Sequence, residues 1–215
     1  MLTRVCQRGF SLVELMVAIT LGLFVLAGVS YLHAEVVKAN AAVLKTAHLQ
    51  QTLWSLMALI ADDVRRAGYW SRAELTLDGA AANGYAPIRL VDGDCLLYSY
   101  DEDKDDADGA PDPEDQHGFR LSGAGVQLKT SDDACGGTTC ADCGSGTWWL
   151  MNDPAGVRVT ALSFTLAERA EPFDGVGREL VAREIGIRLE GEIARDPAVR
   201  HRLDTSVSVR NHEIR

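Results

Sequence analysis

From Phe10 to Leu32 apolar residues follow one another almost without interruption, and Glu14 is the single side chain of that run expected to carry charge. About twenty apolar residues suffice to cross a bilayer as a helix, so the run predicts a membrane-spanning segment over 10–32. Beyond it the apolar positions thin out to helical spacing: Leu49, Leu53, Leu56 with Met57, Ile60 and Val64. No proline occurs before Pro87, which makes one helix from about Phe10 to Ala67 the simplest expectation. At about 1.5 Å per residue it would be roughly 85 Å long, far more than a bilayer is thick. Its second half, 33–68, must therefore bury its apolar stripe elsewhere. Arg65 and Arg66 complement the negative end of the helix dipole, and Gly68 suits a left-handed stop.

After Gly68 the spacing changes to short apolar runs separated by Gly, Pro, Asn and Asp, as antiparallel strands and turns require. Strands are expected at Ile88–Val91, Cys95–Tyr100, Gly118–Leu121, Val126–Lys129 and Thr147–Met151. The clearest alternation comes later, where Ile185, Ile187, Leu189 and Ile193 interleave with Glu184, Arg188, Glu190 and Glu192. Such a strand has one buried and one wet face, and the buried one should meet the long helix. In VRVTALSFTL the apolar set moves from Val157 and Val159 to Leu162, Phe164 and Leu166. An uninterrupted strand cannot change parity, so a bulge near Thr160 or Ala161 is expected. A last strand takes in Val207 and Val209. The resulting fold class is α+β: a long N-terminal helix packed on an antiparallel β-sheet head covering 69–215.

Composition narrows the function. The chain has 215 residues, 47% of them hydrophobic, enough for one head plus an appended element. With 21 basic against 31 acidic residues and a net charge of −10, nothing offsets the phosphate charge of a nucleic acid, and no nucleic-acid partner is expected. Neither a GxSxG, an HExxH nor a phosphate loop occurs. The chain reads as a substrate of enzymes, not as an enzyme, and requires no cofactor.

The segment before the apolar run, Met1 to Gly9, carries Arg4 and Arg8 and no acid. The positive-inside tendency keeps it in the cytoplasm and sends the residues beyond the span outside. An ordinary secretory signal is cut after its apolar region; here the Gly9-Phe10 junction precedes it, so cutting there keeps the anchor. A carboxylate within the hydrocarbon is costly and calls for a partner. The amine that cleavage would expose on Phe10, or that of a neighbouring chain, lies one helical turn from Glu14 and supplies one.

The stretch RGFSLVELMVAITLGLFVLAG resembles the class III signal of type IV pilins and type II secretion pseudopilins. The resemblance implies a leader 1–9 removed after Gly9 by a prepilin peptidase, N-methylation of Phe10 by the same enzyme, and a role for Glu14 in subunit assembly. Downstream, LMALIADDVRRAGYW, CLLYSYDED, GFRL and DTSVSVRN look like the PilW-type minor pilins. That likeness implies a single-pass protein of the bacterial inner membrane with a periplasmic head. It would later dock with other minor pilins and the major pilin, at the surface and near the pilus tip, to initiate the fibre. Two alternatives stay open: a J-type pseudopilin of a type II secretion system, and a calcium-responsive binding or adhesive module displayed on a pilus.

Three further features bear on chemistry. Between Asp101 and Asp115 stand nine acidic residues against Lys104 alone. Asp101, Asp103 and Asp105 alternate as at the start of a calcium loop, but Asp106 occupies the sixth position, where such a loop needs glycine. An ion site and a solvated, self-repelling acidic loop are the competing readings. Cys95, Cys135, Cys140 and Cys143 form an even set outside the leader, which in an oxidising compartment reads as two disulfides whose pairing the spacing leaves open. The histidines, among them His117, are scattered and expected at the surface. Of Trp148 and Trp149, one ring should pack inward.

Overall fold

A computed structural model describes residue 9 and residues 11–102, 109–130, 143–175 and 177–215. Its first element is α1 (Leu12–Val64), 53 residues of uninterrupted helix. The helix starts two residues later than the apolar run because Ser11 caps it, its Oγ accepting the Glu14 N–H at 3.4 Å. The chain divides into two compact units, Met1–Lys45 and Thr46–Arg215.

In the first unit the described residues of α1 are exposed, and an 18-residue window of the helix has a mean hydropathy of 2.4 with none of it buried. By length and composition this helix can cross a membrane. In the second unit the stripe foreseen from spacing is buried: Leu49, Leu53, Leu56, Met57, Ile60 and Val64. Each such side chain contributes about 1.5–3 kcal/mol by leaving water.

Two antiparallel sheets receive it. One orders β1 (Arg89–Val91), β2 (Cys95–Ser99), β3 (Gln116–Ser122), β4 (Gly125–Thr130) and β5 (Thr147–Leu150) in sequence. The other places β7 (Glu179–Ile193) between β6 (Val157–Pro172) and β8 (Asp196–Ser208), with β9 (Glu213–Ile214) also paired to β7. Ile185, Ile187 and Leu189 of β7 share one core with the α1 stripe and with Leu96, Phe119 and Val126 of the first sheet. Asn152 joins the sheets, its Oδ1 accepting from Val126 N–H and its Nδ2 donating to Val157 O, both at 2.9 Å.

The expected break in β6 is a bulge. Val159 faces Gly191 and Ala161 faces Glu190, leaving Thr160 as the extra residue. Gly191 is where the helix comes closest: a Cβ there would stand 2.9 Å from Leu53 Cδ2 and 2.9 Å from Arg158 O. At the other end of the stripe Gly68 takes φ 75° and stops α1 as its position suggested. Carbonyls left over at this end are satisfied from far along the chain, since Arg210 N–H donates to Arg65 O and Asn211 Nδ2 to Arg66 O and Ala67 O. The five strands expected between Ile88 and Met151 hold to within two residues at each end; β7 starts five residues before Glu184, Val209 lies just beyond β8, and α2 (Glu74–Leu77), β9 and the full lengths of β6 and β8 were not foreseen.

Candidate functional site

Gly9 is exposed, and Glu14 is exposed in the first turn of α1. Phe10, the expected methylation site, lies outside the described residues, as do Asp103, Asp105, Cys135 and Cys140. The apolar side chains that follow Glu14 remain open to an outside partner: Leu15, Met16, Val17, Ile19, Leu21, Leu23 and Phe24 are between 51% and 78% exposed.

The feet of the acidic loop have specific tasks. Asp101 is buried and its Oδ2 accepts the Ser71 N–H at 2.9 Å, which ties the chain leaving α1 to the end of β2. Asp115, also buried, accepts from Glu102 N–H at 2.9 Å, Asp112 N–H at 3.0 Å and the Tyr85 hydroxyl at 3.1 Å. A buried carboxylate is tolerated where such donors surround it. Among the described residues no group of three or more His, Cys, Asp or Glu side chains is arranged to hold a metal ion. Of the expected disulfides, Cys95–Cys143 is formed, joining the start of β2 to the residues before β5.

A polar cluster unforeseen from the sequence lies where α1 crosses β2 and β3. The register pairs Tyr98 with His117 and Leu96 with Phe119, so His117 shares the inward face of β3 with Phe119. That parity buries His117, against the expectation of a surface histidine. Asp63 of α1 accepts the hydroxyls of Tyr98 and, at 3.0 Å, of Tyr100. Tyr100 is sandwiched, with the Arg66 guanidinium 3.9 Å above its ring and His117 stacked at 3.8 Å and 7° on the other side. Arg66 also donates to the Tyr100 hydroxyl at 3.1 Å.

The electrostatics follow from this enclosure. Burial first, then the Asp63 charge, hold both tyrosines well above the ordinary phenol range. Burial lowers His117 to about 4 against the opposing pull of Asp63, so the imidazole is neutral at neutral pH. In sequence, the signals for this cluster were two tyrosines two apart on a buried strand, whose hydroxyls need partners, and Asp63 between the core residues Ile60 and Val64. Beside it opens a cleft of about 660 Å³ between the last turns of α1 and the sheet.

Trp149 is 61% exposed, while Trp148 is half-buried on the opposite face of β5 under the Arg120 guanidinium at 4.2 Å. Neither ring joins the core, because β5 is the edge strand of its sheet and only partly covered.

A basic segment ahead of a Gly-Phe junction, an apolar helix entered through Glu14 and a helix-backed antiparallel head define a type IV pilin-like prepilin. Family models agree at both ends: residues 4–30 match the prokaryotic N-terminal methylation motif, and residues 42–209 match prepilin peptidase-dependent protein B. The chain belongs to the prepilin peptidase-dependent protein B family. Neither a curated protein nor a solved structure matches it.

Proposed function

We propose that this chain is a PilW-type minor pilin that helps to initiate a type IV pilus. A prepilin peptidase cuts after Gly9 and methylates Phe10, and α1 holds the chain in the inner membrane with its head in the periplasm. Assembly then moves the apolar segment from lipid into a bundle of like helices. That exchange costs little apolar solvation, since both surroundings are hydrocarbon-like. Pairing of Glu14 with the Phe10 amine of a neighbour removes an expensive lone charge and fixes the register. The role is structural, with other minor pilins and the major pilin as partners.

The observation that carries this reading is the exposed apolar face of α1 entered through a single acidic residue, Glu14, directly after the Gly9-Phe10 junction. Glu14→Ala should leave processing intact and reduce incorporation into pili, whereas Gly9→Leu should block processing. Normal piliation in both variants would refute the proposal. Because the same anchor also serves a J-type pseudopilin, co-isolation of the processed chain with pilus subunits or with secretion-system subunits separates the two.

A further inference from the structure

The cleft beside the tyrosine cluster has walls of two kinds. Leu59 of α1 and Leu128 of β4 make it apolar, and Trp149, directly opposite Leu128 in the register, continues that face toward the sheet edge. Among its lining residues His117 Nε2 and Glu102 Oε2 stand 3.9 Å apart, too far for a hydrogen bond. His117 is only 6% exposed, and its Nε2 has no hydrogen-bond partner although it is enclosed. A buried polar atom left in this state is costly and marks a place where a donor or acceptor is expected.

The charge of the cleft decides which. Among the described residues Arg66 is its basic lining residue, and that charge is engaged by Asp63 at 3.7 Å and by the Tyr100 ring. Asp62 is likewise engaged, by Arg65, so among the described lining residues the half-exposed Glu102 leaves the opening acidic. An acidic occupant would meet like charge, whereas an N–H donor on an aliphatic stem fits both the apolar walls and the two acceptors. The neutral imidazole can accept such a bond at Nε2.

We infer that this cleft is a docking socket for a lysine side chain of an adjacent filament subunit, its stem against Leu59 and Leu128 and its ammonium between His117 Nε2 and Glu102. The inference rests on the filament-subunit reading above and deepens it by naming a contact of the head.

The test uses the full-length chain in cells that assemble the filament, with a photo-crosslinking residue replacing Leu59, which is 39% exposed and so open to substitution. Mass spectrometry should find the crosslink on a lysine-containing peptide of another subunit that carries a prepilin-type signal. Glu102→Lys should cut the yield about tenfold or more through like-charge repulsion, and His117→Phe, which keeps a ring against Tyr100, should lower it as well. Wild-type yield with Glu102→Lys, a captured peptide without lysine, or a crosslink to lipid alone would overturn the socket. So would the absence of a crosslink while the chain still co-sediments with filaments, an outcome that leaves the subunit reading standing. Failure of the unmodified chain to reach the filament fraction overturns that reading, and the socket with it.

Discussion

Replacing Asp63 by alanine removes the acceptor shared by the Tyr98 and Tyr100 hydroxyls. Hydrogen bonds to a charged group contribute about 1.5–3 kcal/mol each. Tyr98 is 4% exposed and Tyr100 3%, so both hydroxyls are orphaned; that of Tyr100 keeps the Arg66 donor, and that of Tyr98 bears the full cost. Arg66 loses an ion pair at 3.7 Å but is half exposed, and that loss is small. The sum is about 3–5 kcal/mol, a large part of the roughly 5–15 kcal/mol that holds an ordinary domain together. For a chain of this size that lowers the melting temperature by about 10 °C. The assay is urea unfolding of the full-length chain in mild detergent, followed by near-ultraviolet circular dichroism. Tyr98→Phe should cost about 1–2 kcal/mol alone and recover part of the loss in the Asp63→Ala background, where it removes the orphaned hydroxyl. A loss below about 0.5 kcal/mol for Asp63→Ala, or equal effects of Tyr98→Phe in both backgrounds, refutes the assigned network.

Two other outcomes concern the same head. His117 is held near 4 when folded against about 6.5 unfolded, so its contribution is complete above pH 6.5. It is lost as pH falls toward 4, because the unfolded chain takes up a proton that the folded one refuses; the total is about 3 kcal/mol. His117→Phe should flatten the stability profile in that window, with the neighbouring Asp63, Arg66 and Glu102 unchanged, and an unaltered slope would contradict the assigned burial. The Cys95–Cys143 bond closes 48 residues of sequence, for which chain entropy gives about 4 kcal/mol. The double variant Cys95→Ala, Cys143→Ala should lower the urea midpoint accordingly, and a change below about 1 kcal/mol would contradict the role of this bond.

The features legible in the sequence are those that local rules encode. The bulge at Thr160 announces itself as a change of parity, the facing of β7 as strict alternation, and the end of α1 as a glycine behind two arginines. The polar cluster could not be read in this way, because Asp63, Tyr98, Tyr100 and His117 meet only once α1 lies across a particular strand register. His117 looked like a surface residue for want of that register, since one residue of slip would have turned it outward. The loop feet illustrate a related limit: Asp101 and Asp115 look like any other acids in a run of nine, and only burial separates the carboxylates that hold backbone N–H groups from their neighbours. Trp148 and Trp149 were expected to supply a core ring, but an edge strand gives them little cover.

The central claim, a prepilin that keeps its anchor, is tested most directly by the N terminus of the processed chain. Mass spectrometry of the protein isolated from filaments should find it beginning at Phe10 and carrying one N-methyl group. A chain that retains the segment ahead of Gly9, begins inside or beyond the apolar run, or lacks the methyl group contradicts the account.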